Sequence, residues 1–531
     1  MGDAMTFGNL EPRARLALSF PWRVGAALLS LVLGLAAGCG SSTVVCDEGP
    51  CGTDGGLDGT LPDGDVRDTN LPDVKPDADP PPPGCDTPNE PLKNPEKCLV
   101  DAFGAFVSPT GDDGNDGSKA KPFKTLGKAL SGAKSRIAVC EGTYTESLDI
   151  QRDVEIYGGI ACSFSAAGKP GSIESGNSIG LSVSRGTVLL TSLNVTSVNA
   201  GDPGESSIGI VAASGTSLKI IGGTIVAGTG AEGSAGTPGA NYNAGLANSD
   251  PTVKGKDASG NSPGGTLACA ALCTEVPSVA VEGGSGGVGS APGGGPGADG
   301  KTTIAIPVGM RGKGGAYDNL NGVCGAGFPG NIGDPANGGA GATTPGTIEA
   351  NKWTSSRGAP GQTARPGQGG GGGSGGASAT VGGGGGGGCG GCGGGKGQGG
   401  QSGGSSFAVL SLGATVTLEN VTLTAAAGGK GGDGGAGQAG QTGGARGEGV
   451  GAGTGCPGGA GGQGGQGGGG GGGAGGHSAA VAYNGAKPTL KSITPQVAAT
   501  AANGGGPGAT GAASTPATAG APGKTAADLA L

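Results

Sequence analysis

Apolar residues alternate with polar ones most regularly in one stretch of this chain, residues 106–160. Short alternating runs at 137–139, 148–150 and 154–156 are separated by glycine-containing turns, and each run predicts a β-strand. Just before them, Leu126, Ala129 and Leu130 have helical spacing and predict one short helix. Several short strands joined by tight turns within about one coil indicate a parallel β-helix.

A unit of strand, glycine turn and strand recurs further along the chain. Apolar runs follow Gly186, Gly215, Gly413 and Gly485, and a short serine-led strand precedes each run. One unit cannot bury its apolar face alone, so we expect the copies to stack about 4.8 Å apart around a core of Val, Ile and Leu. The leading serines are Ser178, Ser207, Ser406 and Ser478.

The region around the predicted helix also carries motifs of a known family. The segment resembles the N-terminal region of right-handed β-helix proteins of the pectate-lyase-like superfamily, in particular the DUF1565 type and the start of some polysaccharide lyases. The resemblance implies an all-β fold, a short right-handed parallel β-helix whose cap and first coil lie here. It carries over no catalytic residue, because those lie later in the family. The matching residues are 107–113, 117–118, 121–126, 129–130, 141–144 and 156–159.

The repeats are unevenly spaced, because long glycine-rich, low-complexity insertions interrupt the predicted β-helix. The leading serines are 29, 199 and 72 residues apart. Loop-closure entropy grows only logarithmically with length, so such excursions are tolerable. The insertions are either disordered or extended segments with three residues per turn that pack as a glycine bundle. A collagen helix is disfavoured, because the Gly-X-Y run at 428–445 lacks proline and its frame breaks at Arg446. Their composition resembles glycine-rich PGRS-type repeats of bacterial surface proteins.

The N-terminus predicts an export signal. Arg13, Arg15 and Arg23 precede an apolar run at 24–37, which is short for a membrane span and typical of a signal peptide. Small residues directly before Cys39 resemble a bacterial lipobox, which implies lipidation of Cys39. We therefore expect a lipid-anchored protein at the bacterial outer membrane or cell surface, with a periplasmic orientation left open. The alternative is a soluble secreted protein.

Charge is concentrated in a linker behind this signal. Between residues 47 and 80 the chain has ten acidic residues and only two basic ones, Arg67 and Lys75. The rest of the chain has no basic field, which argues against a nucleic-acid partner. The predicted division is a lipoprotein signal peptide (1–38), an acidic Pro/Asp/Gly linker (39–99), the cap and first coils (100–227), a glycine-rich insertion (228–404), a coil (405–427), a second insertion (428–477), the last coil (478–500) and an Ala/Gly-rich tail (501–531).

The chain has 13 cysteines, and twelve remain if Cys39 is lipidated. An even number in an exported chain favours disulfides. Cys140 and Cys162 are 22 residues apart, about one coil, so we expect them to pair between neighbouring coils. The sequence Cys389-Gly-Gly-Cys392 has redox-motif spacing but lacks a strand–helix context, so neither a redox role nor zinc is expected. The other candidate pairs are local: Cys46–Cys51, Cys85–Cys98 and Cys269–Cys273.

Candidate catalytic residues are few. His477 is the only histidine and lies among glycines, so we expect it at the surface rather than in a triad. Cleavage of an acidic polysaccharide requires a cation to neutralise the uronate carboxylate and a base to take the adjacent proton. The family resemblance implies that such a cation would be calcium held by acidic residues of neighbouring coils. A step of 22 residues from Asp149 and Asp153 leads to Gly171 and Ser175, which cannot continue such a ladder. The first-coil acids are Glu141, Glu146, Asp149, Asp153 and Glu155.

The sequence therefore favours a non-catalytic role. The first hypothesis is a lipid-anchored structural or adhesive surface protein that needs no cofactor and has the membrane and a cell-envelope component as partners. The second is a polysaccharide lyase or carbohydrate-binding protein for acidic glycans, and only this hypothesis involves calcium. A groove lined by acidic or aromatic residues would distinguish them; Tyr144, Tyr157 and the first-coil acids are the candidates that the sequence offers.

Overall fold

The computed structural model describes residues 80–531, apart from 268, 270–272, 274–280, 303–310, 351, 452–453 and 510–514. Cys39, Cys46, Cys51, the predicted signal peptide and most of the predicted linker lie outside the described residues. Their roles stay predictions.

The described chain winds as a parallel β-helix, as the sequence predicts. It passes from a first sheet to a second and then to a third before it returns to the first, so strands from successive coils lie parallel and side by side. In the first sheet, for example, Leu218 lies between Val188 and Val416. Such stacking gives each apolar side chain an apolar neighbour in the next coil.

The first sheet supplies part of the inner core. Its buried positions include Ile156, Leu190, Ile220 and Leu418, which belong to one apolar cluster. In spatial order its strands are β1 (Ala105–Val107), β2 (Arg136–Cys140), β5 (Val154–Ile160), β8 (Thr187–Thr191), β11 (Ser217–Ile221), β16 (Thr415–Glu419) and β19 (Thr489–Lys491).

The second sheet consists of short strands, and its four central strands alternate between buried and less buried positions. Ile173, Val195, Ile225 and Leu423 face the same inner core, and their neighbours are partly or fully exposed. Its strands are β3 (Gly142–Tyr144), β6 (Gly171–Glu174), β9 (Leu193–Thr196), β12 (Thr224–Ala227), β17 (Thr422–Ala425) and β20 (Thr494–Gln496).

The third sheet is apolar on both faces. Leu181, Ile210 and Val409 point into the inner core, whereas Ile208 and Phe407 belong to a separate cluster on the outer face. Its strands are β4 (Leu148–Gln151), β7 (Ile179–Arg185), β10 (Ser207–Ala212), β15 (Ser406–Leu412), β18 (Ser478–Asn484) and β21 (Thr525–Ala530). The serine-led strands of the sequence repeat stack here: Ser207 pairs with Ser406, and Ser406 with Ser478.

Three short helices lie in the N-terminal part of the described chain. These are α1 (Glu90–Lys93), α2 (Pro95–Cys98) and the predicted α3 (Leu126–Leu130). The Thr125 hydroxyl caps α3 by accepting the N–H of Lys128, and Leu126 and Ala129 are buried.

The glycine-rich insertions leave the β-helix at the turn between the second and third sheets. Their described parts pack side by side with the region before β21 as one body, which we call the glycine bundle (228–404, 428–477 and 501–524). Backbone hydrogen bonds join its segments at every third residue. In one antiparallel pair the donors are Gly429, Gly432 and Gly435, and the acceptors are the carbonyls of Gly404, Gln401 and Gln398. Of the two alternatives left open by the sequence, the structure has the packed one.

Close packing explains the glycine content. A Cβ on Gly505 would lie 1.9 Å from the carbonyl oxygen of Gly432, and one on Gly444 would lie 1.8 Å from that of Val253. No real side chain fits at such distances, so only glycine lets the segments bond sideways through their backbones.

The structure departs from the expected division at one boundary and inside one insertion. The predicted tail at 501–531 ends in β21, which pairs with β18 and so belongs to the third sheet. The first insertion contains an antiparallel hairpin, β13 (Gly346–Glu349) and β14 (Lys352–Ser355), that packs on the outer face of the third sheet. Both segments lie next to glycine- or alanine-rich sequence, and their strand partners identify them as strands.

Candidate functional site

A groove lies beside the third sheet, over the turns that enter β4 and β7 and the loop that enters β10. Its cavity volume is about 660 Å³. The lining is largely polar, and its most exposed large apolar residues are Val198 (44%) and Ile179 (38%). The groove is lined by Ser147, Leu148, Asp149, Gly176, Asn177, Ser178, Ile179, Ser182, Val198, Asn199, Gly201, Asp202 and Glu205.

The hairpin continues this groove along the sheet. Trp353 of β14 lines two adjoining recesses of about 300 Å³ each, and Ile179 lines both recesses as well as the groove. The Trp353 ring packs edge-to-face on Phe407, with ring centroids 5.6 Å apart. Trp353 therefore has a fixed position and remains partly exposed. We call the groove and its two recesses the Trp353 groove.

Carboxylates give one end of the Trp353 groove a negative charge. Glu205 accepts hydrogen bonds from the Ser178 hydroxyl and from the N–H groups of Gly201 and Asp202. These bonds, that of Ser178 foremost, lower the pKa of Glu205 and keep it ionised at neutral pH. Asp149 and Asp202 are exposed at the same end. In the described part of its lining, the only lysine or arginine is Lys352, at the far recess.

The acid positions differ from the ladder expected at a 22-residue step. Asp149 lies opposite Ser182 of the next coil, 33 residues on, rather than Gly171. Asp153 accepts the N–H of Thr187 instead of facing Ser175. The coil is longer than expected because turns between its strands vary in length. Ser182 does not continue an acidic ladder either, and the described residues contain no cluster of three or more acidic, histidine or cysteine residues that could hold a metal ion.

The remaining first-coil acids have structural partners. Glu146 accepts the N–H groups of Leu126 and Gly127 at the start of α3. Glu141 accepts the N–H of Lys169, and Glu155 accepts the Tyr157 hydroxyl. Of the five acids singled out from the sequence, Asp149 alone lines the groove in the described structure.

The two candidate tyrosines are core residues rather than groove residues. Tyr144 and Tyr157 are each 3% exposed, and burial raises the pKa of both hydroxyls. The Tyr144 hydroxyl donates to the carbonyl oxygens of Val107 and Cys140. In the described lining of the groove, the aromatic residue is instead Trp353. It lies in a glycine-rich insertion and was not among the candidates that the sequence offered.

The expected surface position of His477 is wrong. Its side chain is 6% exposed, and its Nδ1 accepts the N–H of Lys524 at 2.9 Å. Its own N–H donates to the Ser405 hydroxyl. Burial, reinforced by the charge of Lys524, lowers the pKa of His477 to about 4. These contacts place His477 between Ser405 and Lys524, the residues directly before β15 and β21.

Disulfides follow the sequence prediction at the cap and depart from it in the glycine bundle. Cys85 bonds to Cys98, and Cys140 to Cys162, as expected. The expected local pair Cys269–Cys273 is wrong. Both cysteines reach across the glycine bundle instead, and a further long-range bond was not anticipated; the bundle pairs are Cys269–Cys389, Cys273–Cys392 and Cys324–Cys456.

The three-residue repeat of the bundle explains the correct pairing. In a helix with three residues per turn, positions 389 and 392 project from the same side. Both cysteines are buried and meet the two cysteines of one neighbouring segment, with Cα atoms 5.9 and 5.6 Å apart. The redox-like spacing of Cys389 and Cys392 thus places two disulfides side by side. The spacing alone does not predict this pairing, because the pairing depends on the geometry of the bundle.

Comparisons with known proteins support the family resemblance at the start of the fold. The family model described as "Protein of unknown function (DUF1565)" matches residues 109–173, from the cap into the second coil. That segment is DUF1565-like. The chain is also 46% identical over 48 residues to the uncharacterized protein YwoF of Bacillus subtilis (strain 168). This stretch is 9% of the chain and 10% of that protein. No solved structure matches the chain.

Within the described residues, no helix has both the length and the apolar character to cross a bilayer.

Proposed function

We propose that this protein is a lipid-anchored cell-surface protein with a structural or adhesive role, which displays the β-helix and the glycine bundle away from the membrane. The observation that carries the proposal is the cross-linking of the bundle. Its disulfides join residues 119 to 132 positions apart. Bonds of this kind persist in oxidising compartments outside the cytosol.

The bundle suits display because it is a rigid body built with little apolar core. Its segments are held by backbone hydrogen bonds and covalent cross-links, so it does not depend on burying large side chains. In the proposed arrangement Cys39 carries the lipid, and the acidic, proline-rich linker separates the folded part from the membrane surface.

Anchoring is tested with Cys39→Ser in cells labelled with palmitate, and Cys46→Ser is the matched control. We expect label and membrane association to be lost in Cys39→Ser and kept in Cys46→Ser. Surface display is tested separately by treating intact cells with a membrane-impermeant lysine reagent. Unchanged membrane association in Cys39→Ser would contradict the anchor, and protection of every lysine in intact cells would contradict display at the cell surface.

A second candidate, binding of a carbohydrate, is favoured by the Trp353 groove. Polar side chains and a partly exposed indole line it. Cleavage of an acidic polysaccharide is less well supported, because the carboxylates at the groove repel a polyuronate. Incubation with uronate polymers, with and without calcium, is expected to produce no unsaturated-uronate absorbance. Calcium-dependent absorbance would contradict the non-catalytic role.

A further inference from the structure

The Trp353 groove has side chains suited to hydroxyl groups. Hydroxyl and amide side chains line it, and several already hold one partner: Ser178 donates to Glu205, Asn177 donates to Ser147, and Asn199 accepts the N–H of Thr229 through Oδ1. The capacity that remains includes the lone pairs of Ser178, the amide oxygen of Asn177 and the amide N–H groups of Asn199, so the lining can both accept from and donate to sugar hydroxyls. The groove crosses successive coils, which are about 4.8 Å apart. A linear chain of sugars fits a groove of this direction better than a single small molecule does.

The negative charge of the groove favours sugars that carry a positive charge. Asp149, Asp202 and Glu205 lie at one end of the groove, and no cationic side chain in the described lining neutralises them there. A uronate would add further negative charge to this end, whereas a protonated amine would be attracted. Trp353 adds an aromatic surface that attracts cations and packs against sugar rings.

A basic peptide is a weaker match. The groove runs over the face of the third sheet, whose backbone groups are engaged with the neighbouring strands β4, β7 and β10. A peptide lying there would leave its own backbone groups to the few polar side chains of the groove. A sugar chain presents hydroxyls and no peptide backbone.

We propose that the Trp353 groove binds an oligosaccharide of amino sugars with protonated amines. This proposal deepens the adhesive role proposed above by naming the class of ligand, and it rests on that role only for its biological setting. Binding by purified protein does not depend on Cys39. Failure of the anchor and failure of this proposal are therefore distinguishable.

Tryptophan fluorescence provides a local test. The chain has two tryptophans, and Trp22 lies in the predicted signal peptide. The full chain with Trp22→Phe therefore reports from Trp353 alone. At pH 6 the probes are a glucosamine tetramer, the N-acetylglucosamine tetramer, a galacturonate tetramer and tetralysine, with titration calorimetry as a second measurement.

We expect the glucosamine tetramer to change the Trp353 emission and to bind at least about fivefold more tightly than its acetylated counterpart, which lacks the charges. The galacturonate tetramer should not bind, and added salt should weaken glucosamine binding. Equal affinity for the two glucosamine forms, binding of tetralysine alone, or no heat and no emission change with glucosamine would each overturn the proposal.

Variants locate the site. Asp202→Asn, whose side chain is exposed, should weaken glucosamine binding about two- to fivefold. Trp353→Phe, followed by calorimetry, should weaken it further while keeping an aromatic ring against Phe407. Asp86→Asn removes the same charge from the exposed N-terminal region and should leave binding unchanged. Equal effects of Asp202→Asn and Asp86→Asn would place the ligand elsewhere.

Discussion

The imidazole Nδ1 of His477 accepts a hydrogen bond from the backbone N–H of Lys524, the residue directly before β21, over 2.9 Å. This bond links the end of the second insertion to the last strand of the third sheet. The bond requires an unprotonated Nδ1, because both ring nitrogens are donors in a protonated imidazole and neither can accept.

Acid is expected to destabilise the protein through His477. Its pKa is about 4 in the folded state and about 6.5 when unfolded, so the unfolded state binds the proton first as pH falls. The stabilisation is fully present above about pH 6.5 and is lost as pH falls towards 4, with about 2 kcal/mol gone at pH 5. Denaturant unfolding between pH 4 and 8 measures it. His477→Gln should flatten this part of the pH dependence, and an unchanged profile would show that His477 does not cause it.

Two adjacent glycines of the bundle should differ in their tolerance of alanine. A Cβ on Gly505 would clash with the Gly432 carbonyl oxygen at 1.9 Å, whereas one on Gly506 would meet only Asp433 Oδ1 at 3.5 Å. We expect Gly505→Ala to lower the free energy of unfolding by about 1–3 kcal/mol and Gly506→Ala to change it by less than about 0.5 kcal/mol. Denaturant unfolding of both variants checks this, and equal losses would contradict the close packing.

The paired bundle disulfides should behave non-additively. While Cys273–Cys392 persists, loss of Cys269–Cys389 frees only a short loop and should cost about 2–3 kcal/mol. Loss of the second bond then frees a loop of about 120 residues and should cost a further amount of about 5 kcal/mol. Serine replacements of one pair and of both pairs, followed by denaturant unfolding, measure this. Peptide mapping without reductant should recover both bonds, and a Cys269–Cys273 fragment would contradict the assignment.

Asn420 is the first residue of the two-residue turn between β16 and β17 and has a φ of 57°. Asparagine tolerates this left-handed conformation, whereas a β-branched residue does not. Asn420→Val should therefore destabilise the protein by about 1–2 kcal/mol, and Asn420→Gly should be nearly neutral. Thermal unfolding compares the two variants. Similar losses would point to the asparagine side chain rather than to backbone strain.

Local pattern was enough to predict the β-helix. Alternation along 137–160 and the recurrent serine-led strands indicated stacked coils, because each coil repeats the same inward-facing positions. The pair Cys140–Cys162 followed from one coil length. The same reasoning mispositioned the acids, since a uniform step of 22 residues ignores turns of variable length and Asp149 faces Ser182 instead.

By itself, the sequence determined the fold class, the short helix α3, the cap disulfides and the positions at which the insertions leave the stack. These features depend on residues close together in the chain or on a regular repeat. Only the tertiary structure decided the glycine bundle, its long-range disulfides, the buried His477 and the Trp353 groove. Glycine carries no side chain to specify a neighbour, so which segments meet, and what they bury or expose, depends on backbone packing between residues over a hundred positions apart.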